Sequence, residues 1–204
     1  MTALARCLAL AAALSLGGCI NLGLGNVGGA PELHRHSLDA ATGVVVRRGS
    51  APALAVREFG ARSRYDLRVV RREGSEGFWY LEFERWGEQP DTAVTDAVRE
   101  ALSASGAFTS VSAAGEALLV ERYLDGYLLA FDLVKTPSGP WKAHLGLRLV
   151  VSDRAGKLLH TAVYDSMRDL PGDGPDGLGA AMSAAVGDVV NKALADWASA
   201  GLLK

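Results

Sequence analysis

Two cysteines, four histidines, a run of arginines and a loop rich in aspartate are the residues of this chain with chemistry to offer. Their spacing closes most routes to catalysis. There is no Gly-x-Ser-x-Gly elbow, no His-Glu-x-x-His and no phosphate-binding glycine loop. No nucleophile can be matched to a base, so the chain is not expected to be an enzyme or to need a cofactor. His34 and His36 alternate on an extended segment and could share a metal, but no third ligand can be assigned. They read instead as a solvated strand, and no metal site is expected. Asp165, Asp169, Asp173 and Asp176 surround a Gly/Pro loop whose spacing matches no EF-hand. Asp176 is placed to cap the helix that follows.

The first cysteine region is more informative. Arg6 supplies positive charge, Leu8–Leu16 is apolar apart from Ser15, and Gly17 and Gly18 precede Cys19. That is the layout of a secretory signal, with an apolar core too short to span a bilayer permanently. Leu16-Gly17-Gly18-Cys19 resembles the lipobox of bacterial lipoproteins. Small residues before the cut let a peptidase reach the backbone, and the thiol takes a diacylglycerol. Residues 1–18 are therefore expected to be a signal peptide, with acylation at Cys19. Two or more acyl chains on one residue hold a protein on a bilayer where one does so only marginally. Ile20 rather than aspartate follows the cysteine, which resembles the outer-membrane sorting pattern of enteric bacteria.

Without residues 1–18, which carry Arg6 and no acid, 186 residues remain with a net charge of −3. That is one domain of ordinary size, and its charge does not suit nucleic acid. Cys7 leaves with the signal and Cys19 is consumed by lipid, so the fold stands on its core without a disulfide. Residues 20–31 carry four glycines and no charge; residues 19–31 read as a lipidated flexible tether of about 20 Å mean span, and 32–204 as the folded domain.

Within that domain strands and helices alternate. Ala53–Phe59, Leu67–Arg72 and Phe78–Trp86 are strand candidates, the last with Trp79, Leu81 and Phe83 expected on the core face. Pro90-Asp91-Thr92 opens a helix capped by Asp91 or Thr92, with Val94, Val98, Ala101 and Leu102 as its stripe and Gly106 as its end. Thr109–Ala113 is a short strand with Val111 as its clearest core residue. Ala117–Val134 reads as one strand bent by a bulge at Gly126. Trp141–Val151 buries Ala143, Leu145, Leu147 and Leu149, and turns through residues 153–156 into Leu158–Tyr164. Residues 169–177 form a loop, and a final helix over Leu178–Ser199 buries Met182, Val186, Val189, Val190, Leu194 and Trp197. A mixed β-sheet with two main helices, hence an α/β fold, follows.

Arg47, Arg48, Arg57, Arg62, Arg64, Arg68, Arg71 and Arg72 crowd one segment against Glu58, Asp66 and Glu73, giving it +5 while the rest of the mature chain is −8. Such a run is usually a solvated face, but it also suits an acidic partner or anionic headgroups. Arg64, Arg68, Arg71, Arg72 and Arg85 are the candidate contact residues, with Trp86 as the aromatic expected to stay out of the core.

Phe83-Glu84-Arg85-Trp86-Gly87-Glu88-Gln89-Pro90, the helix after it, and Gly106-Ala107-Phe108-Thr109-Ser110-Val111 resemble the ABC-type transport auxiliary lipoproteins (the PqiC type). Tyr123-Leu124-Asp125-Gly126-Tyr127 and Phe131-Asp132 resemble a strand of the same family, and the likeness covers roughly residues 34–198. Two departures are His34-Arg35-His36, where the family has a tyrosine pair, and a missing proline-rich turn before Leu67. The resemblance implies a three-layer α/β sandwich resembling anticodon-binding domains. It also implies a non-enzymatic subunit on the periplasmic face of the outer membrane. Its partners would be an ABC permease, its ATPase and an MCE-domain protein in intermembrane lipid transport, with a homo-oligomer also open. A competing reading is an envelope lipoprotein that activates a cell-wall synthase, against which a short tether argues.

Overall fold

A computed structural model of the chain describes residues 31–39, 42–47, 49–74, 77–116, 120–135, 139–172 and 174–204. The signal, Cys19 and all but the last residue of the tether lie outside the described residues, as do Arg48 and Asp173. Leu33–Lys204 is a single compact unit. Its strands are β1 (His34–His36), β2 (Leu54–Val56), β3 (Gly60–Ala61), β4 (Arg68–Glu73), β5 (Phe78–Trp86), β6 (Val111–Ala113), β7 (Arg122–Lys135), β8 (Trp141–Asp153) and β9 (Leu158–Asp169). Two helices, α1 (Pro90–Ser105) and α2 (Leu178–Ser199), complete it. The α/β class, the mixed sheet and the two helices are as expected.

The sheet is built around β7. β7, β8 and β9 form an antiparallel meander of long strands. Along its other edge β7 takes β2, β3 and β4 one after another, all parallel. β6 extends the sheet beyond β2, while β5 and then β1 extend it beyond β4. Alternation in β8 sets the burial: Ala143, Leu145, Leu147 and Leu149 are essentially inaccessible. α2 covers them with Met182, Val186, Val189, Leu194 and Trp197, all buried as expected.

Several local expectations are corrected. α1 starts before either expected cap, with Gln89 at the cap and Pro90 in the first turn. A proline there gives up only an N–H that has no helical partner; Asp91 instead accepts from the Thr92 N–H. α2 is capped by Gly177 at φ 77°, not by Asp176. β7 is one strand, but its bulge falls between Leu128 and Ala130. Gly126 serves a different need: a Cβ there would stand 2.5 Å from the Phe59 ring, so the glycine admits that ring. β9 runs on through Asp169 because Ser166 and Arg168, polar at positions facing α2, are paired with Asp188 on that helix. Val111 is half-buried, and Phe108 is the more buried residue of its segment.

Ser37–Asp39 and Thr42–Arg47 lie along α2 as a strap. Gly179, Ser183, Gly187 and Asn191 recur every fourth residue and so share one helix face. A side chain at Gly179 or Gly187 would collide with the carbonyl oxygen of Ser37 or Thr42. Ser183 Oγ accepts from the Asp39 N–H at 3.0 Å. Asn191 accepts from Val45 N–H at 2.9 Å and donates to the Gly43 carbonyl at 2.8 Å. The strap then crosses the end of α1, where Arg47 N–H meets the Ser105 carbonyl.

Candidate functional site

The arginine-rich segment is sorted by the fold into inward and outward residues. Cross-strand neighbours share a face, so Arg72 on β4 lies beside Val134 on β7 and Phe78 on β5. Arg72 turns inward: its Nε is 2.6 Å from Asp132, a carboxylate only 1% exposed. Asp132 stands opposite His144 on β8, whose Nδ1 is 3.5 Å from that carboxylate and 2.7 Å from the Arg72 guanidinium. His144 Nε2 in turn reaches Asp165 on β9 at 2.6 Å. A polar row thus crosses four strands on the face of the sheet away from the helices.

In that row, a neutral His144 accepts at Nδ1 from Arg72 and donates from Nε2 to Asp165. A second proton, on Nδ1, must turn towards Asp132. Burial alone would lower this imidazole's pKa, but hydrogen bonding and charge from Asp132 and Asp165 outweigh it and the value is raised. Tyr65 covers the same spot, its hydroxyl donating to the Leu129 carbonyl at 3.3 Å. Burial, reinforced by Asp132, pushes that phenol well above its ordinary range. The row holds strands together and offers no nucleophile.

The outward residues differ. Arg68 is 45% exposed, forms an ion pair with Asp66 at 2.5 Å and stacks 3.7 Å over the Tyr80 ring. That bonding, led by the Arg68 hydrogen bonds, holds the Asp66 carboxyl below its usual range. Arg64 lies 4.8 Å over Phe78, and Tyr80 donates to the Arg64 carbonyl at 3.2 Å. Arg71 pairs with Glu73 and stacks over Trp141. Arg85 is spent internally, donating to the carbonyls of Leu81 and Glu84 at 3.0 and 2.8 Å, where β5 departs from regular pairing with β4.

The irregularity, together with the open corner of the sheet at which Trp79 pairs with Arg71, overturns the reading of the aromatic cluster. Pairing with β4 jumps from Tyr80 to Arg85, so strict alternation fails between them. Trp79 and Phe83, expected in the core, are 48% and 39% exposed. Trp86, expected at the surface, is 3% exposed and packs on Phe131 with ring centroids 4.5 Å apart. Arg64 and Arg68 therefore form the outward cluster on one face, Arg71 lies on the other with Trp79, and Arg72, Arg85 and Trp86 belong to the interior framework.

The histidine pair is also placed. β1 pairs in parallel with β5, and both imidazoles address Glu84: His36 Nε2 at 2.6 Å and His34 Nδ1 at 3.7 Å. The strand is paired, and it is also solvated as expected, with His34 and Arg35 exposed. Among the described residues no group of three His, Cys, Asp or Glu is arranged to hold a metal. No helix among them is long and apolar enough to cross a membrane.

An open mixed sheet carrying two helices, with polar side chains spent on pairing strands, defines the class: an α/β scaffold whose free chemistry lies in exposed cations and aromatics. The chain belongs to the family of ABC-type transport auxiliary lipoprotein components, which matches residues 38–193. In fold it is similar to the crystal structure of protein XCC0632 from Xanthomonas campestris. That likeness has a TM-score of 0.67 at 14% identity and covers 82% of this chain and 95% of that one. A crystal structure titled only as an uncharacterized protein is similar at TM-score 0.59 and 11% identity, covering 80% and 99%. No curated protein matches the chain in sequence.

Proposed function

We propose that the chain is a periplasmic accessory subunit of an ABC transport system, held at the outer membrane by lipid on Cys19. It would work with a permease, an ATPase and an MCE-domain protein to move lipid between membranes. Its own role is to dock, not to catalyse. Membership of the auxiliary lipoprotein family supports the transport role, and the lipobox at Leu16–Cys19 supports the anchor.

The observation that carries the docking role is the Arg64–Phe78–Tyr80–Arg68 stack. Arginines braced on aromatic rings lose little freedom when a partner binds, and arginine and aromatic residues are enriched in protein interfaces. A stack of this kind, exposed beside an edge strand, suits an acidic or carbonyl-rich surface of a periplasm-spanning partner. Photo-crosslinkers at Leu67 and Arg68 should capture a transporter subunit in intact cells. Crosslinkers at Ala195 on α2 should not. Capture of a cell-wall synthase alone would replace this reading with the competing one.

A further inference from the structure

The sheet has a second, partly exposed aromatic and basic cluster, on the face opposite Arg64 and Arg68. Arg71 is the cross-strand neighbour of Trp79 on one side and Leu133 on the other, and Lys135 pairs with Trp141. Arg71, Trp79, Lys135 and Trp141 therefore share the helix-side face, at a corner where the neighbouring side chains leave Trp79 about half exposed. The Trp141 ring is flanked by two cations, with the Arg71 guanidinium 4.9 Å and the Lys135 ammonium 5.1 Å from its centroid. Glu73, paired with Arg71, is the acid at this corner. Lys135 has no carboxylate partner among the described residues.

The path of the chain places this corner. β1 runs parallel to β5 beside its last three residues, Glu84–Trp86, so the chain comes to His34 from the side of the sheet on which β5 begins. The twelve residues from Ile20 to Pro31, even fully extended, carry the chain about 40 Å at most. A domain on so short a lead meets the surface that holds its N-terminus. Tryptophan with adjacent lysine and arginine is the side-chain set favoured at the headgroup level of a bilayer. The ring suits a half-wet boundary, and each cation near an anionic surface adds attraction.

We infer that Trp79, Trp141, Arg71 and Lys135 form a membrane-contacting corner that rests on the anionic lipid headgroups of the bilayer anchoring the chain. This deepens the proposed function by fixing which end of the domain faces the membrane, and it rests on the lipid-anchor reading. The corner turns Arg64 and Arg68, on the other face, away from that contact and leaves them open to a protein partner.

The test uses the acylated chain from Cys19 to Lys204 in phosphatidylcholine–phosphatidylglycerol vesicles containing bromine-labelled lipid. Trp86 and Trp197 are buried, so quenching reports Trp79 and Trp141. Emission should be quenched, and Trp79→Phe with Trp141→Phe should remove the quenched fraction while the far-ultraviolet spectrum stays unchanged. In a second arm the unacylated chain is titrated with the same vesicles and with phosphatidylcholine alone. It should bind only the anionic ones, and Arg71→Gln with Lys135→Gln should weaken binding about tenfold or more. Acylated chain bound to vesicles with Trp79 unquenched would overturn the corner and leave the anchor standing. A chain found unacylated in its cell would overturn the anchor, whereas anionic-vesicle binding by the unacylated chain would still support the corner.

Discussion

Arg72 and Arg68 are four residues apart in sequence and have opposite roles. Arg72 compensates a carboxylate that is 1% exposed, whereas Arg68 is 45% exposed beside Asp66. Removing one member of a buried pair strands its partner, so Arg72→Gln should cost about 3–5 kcal/mol in denaturant unfolding. Arg68→Gln should stay within about 0.5 kcal/mol and weaken partner capture instead. Equal stability losses would refute the division. His144 adds a pH signature. Its folded pKa is raised, so the stabilisation from its protonated form is complete below the unfolded value of about 6.5 and is lost as pH rises through the folded value. The difference in melting temperature between the native chain and His144→Gln should therefore be largest in mild acid and shrink towards alkaline pH. A pH-independent difference would rule out this role. Asp188 works in the opposite sense. Burial would raise its pKa, but Arg168 and Ser166 outweigh that and hold it low, so its contribution is lost on acidification.

At the scale of elements, legibility followed hydrophobic period. α2 and the inward residues of β8 were readable because their apolar spacing matches one face over many turns or residues. β5 was not, since its pairing with β4 jumps across five residues beyond Tyr80, and Trp79, before the jump, stands at a corner its neighbours leave half open. Nothing in Phe78–Trp86 announces such a break; the proximity of Arg85 to Leu81 is visible only in three dimensions. The polar end of β9 was missed for a related reason, because its pattern becomes regular only once Asp188 is brought opposite it. The strap was likewise hidden in irregular sequence, although Gly179, Ser183, Gly187 and Asn191 carried its signal on α2. Filling that stripe should loosen it: Gly187→Leu meets the Thr42 carbonyl and should cost about 1–3 kcal/mol as overpacking. Faster amide exchange at Asp39 and Val45 should accompany it. Unchanged exchange at both would mean that the strap does not depend on the stripe.

The folded domain combines a nine-stranded sheet with a strap along α2. The family was legible in short motifs, as was the concentration of arginine. Which arginines face outward was not, because that depends on partners supplied by β7, β8 and β5. The proposed arrangement gives each face a duty: one corner against lipid, Arg64 and Arg68 towards protein, and an interior row that stabilises both. Its central claim is a lipid-held subunit of an ABC transport system, and affinity purification of the full-length chain from gently solubilised envelopes tests it most directly. The native chain should bring down the permease, the ATPase and an MCE-domain protein. Cys19→Ala should remain folded, leave the membrane fraction and lose them. Recovery of no transporter subunit with the membrane-bound native chain, or undiminished recovery with soluble Cys19→Ala, would contradict the account.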